Sequence, residues 1–187
     1  MGVSFVTTSI NRIQLLRGDL RGSRQIVRPP WAPDEFRFVD ACERCDACIA
    51  ACSETILKRG QGGFPEVDFS QGGCTFCGDC VKACTHGVLA FFDDLEQAPW
   101  NLIAQIQDNC LSLNGVVCRS CGEACDDSVI RFKLEIGGKA RPLLDETECT
   151  GCGECIAICP TQSIQIHRLP ETAVTEAQAS VGGAKQA

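Results

Sequence analysis

Sixteen cysteines, arranged in four groups of four, are the residues of this 187-residue chain that could do chemistry. Three of the groups share the spacing C-x2-C-x2-C-x3-C. Thiolates at this spacing on a short loop can cover three corners of one iron–sulfur cube, while the fourth cysteine reaches a neighbouring cube. The regular groups are Cys42, Cys45, Cys48 and Cys52; Cys74, Cys77, Cys80 and Cys84; and Cys149, Cys152, Cys155 and Cys159. The pattern predicts [4Fe-4S] clusters.

The remaining group is looser and contains Cys110, Cys118, Cys121 and Cys125. Seven residues, Leu111 to Val117, separate its first two cysteines, and Asn114-Gly115 within them predicts a turn. A longer loop can still present a thiolate, which favours four clusters. In the alternative reading, Cys110 is a small buried apolar residue and the site is incomplete. The sequence therefore predicts three to four [4Fe-4S] clusters per chain.

The pairing of the groups has two possible solutions. In two-cluster ferredoxins the fourth cysteine of each run ligates the other cube. The segments between groups have similar lengths, so a nested pairing of the first group with the fourth stays open beside the sequential one. Sequential pairing gives four ligand sets: Cys42, Cys45, Cys48 with Cys84; Cys74, Cys77, Cys80 with Cys52; Cys110, Cys118, Cys121 with Cys159; and Cys149, Cys152, Cys155 with Cys125.

Two other uses of cysteine fit less well. A disulfide scaffold is typical of small secreted proteins, and residues 1–30 contain no apolar core or cleavage site of a secretory signal. Structural zinc prefers C-x2-C pairs separated by a longer loop, often with histidine, and the chain has two histidines, neither at ligand spacing. Free thiolates for cluster assembly require a reducing compartment, so we expect a cytoplasmic protein.

Composition and charge suggest how the chain is organised. The net charge of −7 argues against nucleic-acid binding, and no apolar stretch approaches the roughly 20 residues of a membrane span. The predicted fold is α+β, with two tandem ferredoxin-like halves of short strands and helices around paired clusters. The expected domains are a flexible basic arm (1–30), a first module (31–97), a second module (98–170) and a disordered tail (171–187).

Local patterns predict several elements. An apolar residue stands five positions after the fourth cysteine of each group, and a second one seven positions after it in every group but the first, where Arg59 takes that place. This alternation predicts a short strand in each unit. Residues 98–110 predict a connector helix, because Pro99 suits a first helical turn and Trp100, Leu102, Ile103 and Ile106 give one apolar side. The residues we predict to contact a partner protein are Arg12, Arg17, Arg21, Arg24, Arg28 and Trp31.

No nucleophile with an adjacent base, phosphate-binding loop or carboxylate pair stands out. The sequence therefore predicts an electron carrier or a cluster-bearing accessory factor, and not an enzyme.

The order of these parts resembles the NapF family of ferredoxin-type accessory proteins. The resemblance covers about residues 12–168 and rests on the basic arm, Arg28-Pro29-Pro30-Trp31, the first cysteine run, the Gly62 to Pro65 segment and the altered third group. It implies that the cysteines are cluster ligands. It also implies a cytoplasmic protein that binds the precursor of the molybdenum-containing nitrate reductase catalytic subunit and assists its maturation before export. A general electron-transfer ferredoxin without a maturation role is the alternative.

Overall fold

The computed structural model describes residues 26–91, 99–137 and 139–169. Short elements alternate with cysteine loops along these residues. In the first module they are α1 (Glu35–Ala41), α2 (Ala47–Ala50), β1 (Leu57–Arg59), β2 (Pro65–Val67) and α3 (Asp79–Lys82). In the second module they are β3 (Leu102–Ile106), α4 (Ser120–Glu123), β4 (Ile130–Leu134), β5 (Ala140–Leu144), α5 (Glu154–Ala157) and β6 (Ile164–Arg168).

The strands form three antiparallel pairs. β1 pairs with β2 as a hairpin, and β4 pairs with β5 in the same way. β3 pairs with β6, with Leu102 opposite Arg168 and Ile106 opposite Ile164. The last pair joins the beginning of the second module to its end and so encloses the cysteine loops between them.

One turn recurs in all four cysteine units. The residue three positions after each fourth cysteine adopts a left-handed backbone conformation and donates its N–H to the carbonyl of that cysteine. These residues are Thr55, Gly87, Ser128 and Gln162, at N···O distances of 3.1, 3.1, 2.9 and 3.1 Å. The repeat predicted from cysteine spacing is therefore visible in the backbone, and the irregular third unit shares it.

The strand predictions after the fourth cysteine hold in three units of four. Strands cover Leu57 and Arg59, Ile130 and Phe132, and Ile164 and Ile166. The prediction was wrong for Leu89 and Phe91, which belong to no strand. Leu89 is instead buried in the first module's core, and its backbone N–H points to the sulfur of Cys84.

The predicted connector helix over 98–110 was also wrong, because Leu102–Ile106 forms strand β3. Leu102, Ile103 and Ala104 are all buried, so this segment needs cover on both faces. An edge-to-edge partner strand, β6, satisfies its backbone hydrogen bonds. Trp100, Leu102, Ile103 and Ile106 fit a helical stripe equally well, which is how the pattern misleads.

Three apolar clusters organise the packing. Phe38, Leu57, Phe64 and Leu89 form the core of the first module, and Ala104, Val129, Ile130 and Ile164 form that of the second. A third cluster contains Val27, Ile56 and Phe69 from the first part of the chain and Leu102 from the second. The modules are therefore packed against each other through an apolar interface.

No helix in the described part of the chain is long and apolar enough to cross a membrane. The predicted tail (171–187) and most of the arm lie outside the described residues.

Candidate metal centres

The first site contains Cys42, Cys45 and Cys48 of the first group together with Cys84 of the second. All four line one cavity, beside Phe38, Pro65 and Leu89. The backbone N–H of Leu89 lies 3.5 Å from the Cys84 sulfur, where it can stabilise negative charge on that atom. Charged and polar side chains rim the opening: Glu43, Arg44, Asp46 and His86.

The second site contains Cys74, Cys77 and Cys80 together with Cys52 of the first group. Burial, and then the charges of Cys74, Cys77 and Cys52, raise the pKa of Cys80 to about 11. Burial also raises the pKa of Cys74 to about 11, and Cys52 and Cys77 are among the charges that add to this. Cys52 and Cys74 also pack against the same apolar cluster, so the fourth cysteine of the first group lies beside the second group.

The third site is formed by Cys110, Cys118, Cys121 and Cys159, which line a second cavity with Leu111, Phe132 and Pro160. The seven-residue insert folds back on itself, because Val116 N–H donates to Leu111 at 2.9 Å and the Asn114 side chain donates to the Cys110 carbonyl at 2.9 Å. This fold brings the early Cys110 to the same cavity as the other three thiols. The third foursome is therefore geometrically complete.

Within the third site, the sulfur of Cys159 has hydrogen-bonding partners in Ser163 and Thr161. Its sulfur lies 3.2 Å from the hydroxyl and 3.3 Å from the backbone nitrogen of Ser163. Burial alone would raise the pKa of Cys159, but the hydrogen bonds from Ser163 and Thr161 together lower it. Ser163 is itself fully buried, so these donors are shielded from water.

The fourth site contains Cys149, Cys152 and Cys155 together with Cys125 of the third group. Burial, followed by the charges of Cys152 and Cys149, raises the pKa of Cys155 to about 12. Cys121 and Cys125 add to the same effect. The cavities that join Cys84 to the first group and Cys159 to the third support the sequential pairing, one of the two that the sequence left open.

The regular cysteine loops share one backbone conformation. The residues directly before and after the middle cysteine have positive φ: Arg44 and Asp46, Phe76 and Gly78, and Gly151 and Gly153. Alternating backbone conformations of this kind turn successive N–H groups toward one side and create an anion-binding concavity. The third group lacks this pair, since Arg119 has φ −133°, and its expanded insert presents Cys110 by a different route.

These donor sets fit [4Fe-4S] groups. All sixteen thiols are free, and in the described residues no three His, Cys, Asp or Glu side chains approach closely enough to hold a single ion. The first and third sets of four instead line one cavity each, in which neighbouring thiolates would repel one another. A cube with four iron corners supplies the positive charge and the reach that four such sulfurs need.

The second and fourth sites are in direct backbone contact. The N–H of Cys74 donates to the carbonyl of Cys152 at 2.7 Å, and the neighbouring N–H of Gly73 donates to the Glu154 carboxylate at 2.7 Å. Cys152 also contributes to the raised pKa of Cys74. Helix α2, which carries Cys48, contacts α3, which carries Cys80, and helix α4, which carries Cys121, contacts α5, which carries Cys155. The sites therefore follow one another in the order first, second, fourth, third.

Aromatic rings pack around the contact between the second and fourth sites, which we call the junction. Trp100 packs edge-on against Phe69 and Phe76, with ring centroids 5.9 and 5.5 Å apart. Its indole N–H donates to the Thr150 carbonyl in the fourth-group loop at 2.9 Å. Gly153 lies so close to the Phe69 ring that a Cβ there would meet it at 2.1 Å. The two inner sites are therefore held in a fixed relation by packing as well as by hydrogen bonds.

The predicted partner-contact residues divide into two sets. Arg12, Arg17, Arg21 and Arg24 lie outside the described residues. Arg28 is buried, with a bidentate ion pair to Glu35 at 2.8 Å and its guanidinium stacked between Phe38 and Phe64. We expected Arg28 to be accessible to a partner protein, but its guanidinium instead pairs with carboxylates within the first module.

Trp31 packs on the first module. It is half-buried, with its ring 5.0 Å from Phe91 and 6.5 Å from Phe76 between centroids. Its backbone N–H donates to the Pro99 carbonyl at 2.8 Å, which ties the Pro-rich segment to the start of the second module.

Sequence reasoning missed the residues of the junction. Gly73, Glu154 and Trp100 carry no metal-ligand signature, and the Gly72-Gly73 pair reads as an ordinary turn. The only available signal was the placement of glycines beside cysteines, at Gly73 and Gly153. Sequence reasoning also missed Ser163, which lies four positions after Cys159.

Comparison with known proteins agrees with this architecture. The model of the 4Fe-4S dicluster domain matches residues 41–88 and again 116–163. The second match begins after Cys110, which reflects the insert in the third group. Two such domains in tandem define an iron–sulfur protein of the ferredoxin class that binds [4Fe-4S] clusters. Proteins of this class are electron carriers.

Comparison with individual proteins identifies the family within the ferredoxin class. Ferredoxin-type protein NapF of Escherichia coli (strain K12) is 40% identical over 85% of this chain and 95% of the relative. NapF of Haemophilus influenzae is 42% identical over 78% of this chain and 81% of the relative. Ferredoxin-type protein NapG of Escherichia coli (strain K12) is 33% identical over 80% and 73%. The chain belongs to the ferredoxin-type NapF family.

Proposed function

We propose that this protein is a four-cluster iron–sulfur relay that binds the precursor of the molybdenum-containing catalytic subunit of periplasmic nitrate reductase. In the cytoplasm, it assists the maturation of that subunit by cluster loading or reduction before export. The observation that carries the relay is the Cys74–Cys152 hydrogen bond, which joins the inner sites of the two modules. The apolar cluster of Ile56, Phe69 and Leu102 adds to this contact between the modules.

The ligands in this proposal are the sixteen cysteines as the structure groups them. Bound [4Fe-4S] groups supply one-electron chemistry, and the protein tunes them by burial and by hydrogen bonds to sulfur. This chain holds each foursome on loops whose N–H groups can face the centre. Phe69, Trp100 and Leu102 also pack with Cys52 and Cys74 of the second site, which shields part of that site from water.

The nitrate reductase partner is supported by family membership, since the Nap relatives are ferredoxin-type proteins that share most of this chain. The cytoplasmic location is supported by the sixteen free thiols, which a reducing compartment would keep available for assembly.

A second candidate is a general electron-transfer ferredoxin without a maturation role, because the unbroken series of sites serves either task. Deleting the gene separates the two. Under maturation, the nitrate reductase catalytic subunit accumulates lacking its own iron–sulfur cluster. Under simple transfer, the subunit is fully loaded but receives no electrons. Iron analysis of the purified subunit decides between them, and a fully loaded, active subunit would contradict both.

A further inference from the structure

The two outer sites have different surroundings. The cavity of the first site is lined by charged and polar side chains, among them Glu43, Arg44 and His86, as well as by apolar ones, whereas the residues that line the third cavity carry no charged side chain. The third site is flanked by exposed apolar ones. Val117, 78% exposed, directly precedes Cys118, and Ile158, 49% exposed, directly precedes Cys159. Both of these cysteines line the third cavity.

The apolar surface continues onto the β4–β5 hairpin. The Ser112 hydroxyl, in the insert, donates to the carbonyl of Ala140 at the start of β5, and Ala140 pairs with Leu134. Leu134 is 69% exposed and Ile136 fully exposed. Of the eight large apolar side chains exposed in the described part of the chain, five lie on the insert, at the free end of the hairpin or directly before Cys159: Val116, Val117, Leu134, Ile136 and Ile158.

This surface is held in place and is not a loose loop. Ser112 is buried, and the insert is closed by the hydrogen bonds of Val116 and Asn114. An ordered apolar patch lowers the conformational cost of association. Exposed apolar side chains concentrated on connected segments in this way are typical of a protein-interaction site.

Positive charge accompanies the patch. Lys133 and Arg141 stand directly opposite each other in the hairpin, a like-charge pairing that costs stability. Glu135, 3.8 Å from Arg141, offsets part of this charge, and Lys139 lies beside Gly115 of the insert. Lys139 adjoins the insert, whereas Lys133 and Arg141 point to the other face of the hairpin from Phe132 and Leu134. In a chain of net charge −7, this local positive charge would steer an acidic surface toward this end of the molecule.

We propose that the insert (Leu111–Val117), Ile158 and the free end of the β4–β5 hairpin form the docking face for the redox partner, which presents an apolar patch ringed by carboxylates. This inference rests on the proposed function and names the surface it uses. Docking here covers the third site, the last in the series, and leaves the charged first site open.

The test compares two full-length, anaerobically purified variants that each place a carboxylate on an exposed apolar position. Val117→Asp lies in the proposed face, and Phe36→Asp is the matched control, because Phe36 is 74% exposed on α1 of the first module. Binding to purified catalytic subunit of periplasmic nitrate reductase lacking its own cluster is measured by calorimetry. Iron content and the electron paramagnetic resonance spectrum verify that each variant is intact.

We expect Val117→Asp to weaken binding about tenfold or more, and Phe36→Asp to leave it within about twofold. Lys133→Glu should weaken binding and reduce its dependence on salt. If the wild type binds and Val117→Asp binds equally well, the docking inference is overturned while the proposed function stands. If the wild type does not bind this subunit, both fall. If the wild type sediments as a dimer and Val117→Asp as a monomer, a second copy occupies the face and the inference is overturned.

Discussion

The amide nitrogen of Cys74 lies 2.7 Å from the carbonyl oxygen of Cys152, although 78 positions separate the two residues in the chain. Each belongs to a different thiol foursome and a different module. The hydrogen bond provides a short covalent and hydrogen-bonded path between the inner sites. It makes one continuous series from two ferredoxin-like units.

Gly73→Ala should separate the inner sites. A Cβ at Gly73 would meet the backbone nitrogen and Cα of Glu154 at 2.8 and 3.0 Å, and backbone atoms cannot yield as a side-chain tip does. We expect weaker magnetic coupling between the second and fourth sites in the paramagnetic resonance spectrum of the reduced protein, and a loss of stability of about 1–3 kcal/mol.

Gly72→Ala is the control for this change. The nearest atom to a Cβ at Gly72 is the Glu54 carbonyl oxygen at 4.0 Å, which is ordinary contact. Indistinguishable spectra for the two alanine variants would contradict the assigned role of the junction.

Paired cysteine replacements should reveal which thiols share a site. Cys45→Ser and Cys84→Ser remove ligands of the same foursome, so the double variant should lose no more iron than either single one, about four atoms. Cys77→Ser with Cys84→Ser removes ligands from two sites and should lose about eight. Iron and sulfide analysis after anaerobic purification makes the comparison, and nested pairing would give the opposite result for the first double variant.

Arg28→Ala should destabilise the first module. The guanidinium is 5% exposed, pairs with the half-buried Glu35 and lies 3.9 Å from the buried Glu66, so its removal leaves a buried carboxylate without this cation. We expect a loss of about 3–5 kcal/mol in anaerobic urea denaturation.

Arg37→Ala is the matched surface change, because Arg37 is 80% exposed and pairs only locally with Asp34. It should cost less than about 1 kcal/mol. An equal effect of both substitutions would show that the buried network contributes little.

Ser163→Ala should make the third site harder to reduce. The buried hydroxyl lies 3.2 Å from the Cys159 sulfur and can donate to it, which stabilises the more negative, reduced state. The reduction potential measured by spectroscopic titration should become more negative. Ser53→Ala is the control, since the Ser53 hydroxyl contacts Glu54 at the surface; an unchanged potential in Ser163→Ala would remove Ser163 from the tuning of this site.

The cysteine framework was predictable because ligand spacing is local. The runs beginning at Cys42, Cys74 and Cys149 each specify a loop without reference to the rest of the chain, and the turn residues at Asn114-Gly115 were visible as well. Strand β3 was not predictable, because its apolar positions satisfy two periodicities and only β6 decides between them. The Cys74–Cys152 junction depends on how two modules pack, which no local pattern records.

The pairing of β3 with β6 has a consequence for synthesis on the ribosome. Because Leu102 pairs with Arg168, strand β3 cannot form its hydrogen bonds until nearly all of the described chain has left the ribosome. The core of the first module, in contrast, is complete once Leu89 has emerged. We expect metal insertion to proceed vectorially, amino-terminal half before carboxy-terminal half. Protease digestion of nascent chains arrested at increasing lengths would reveal this order, and simultaneous protection of both halves would contradict it.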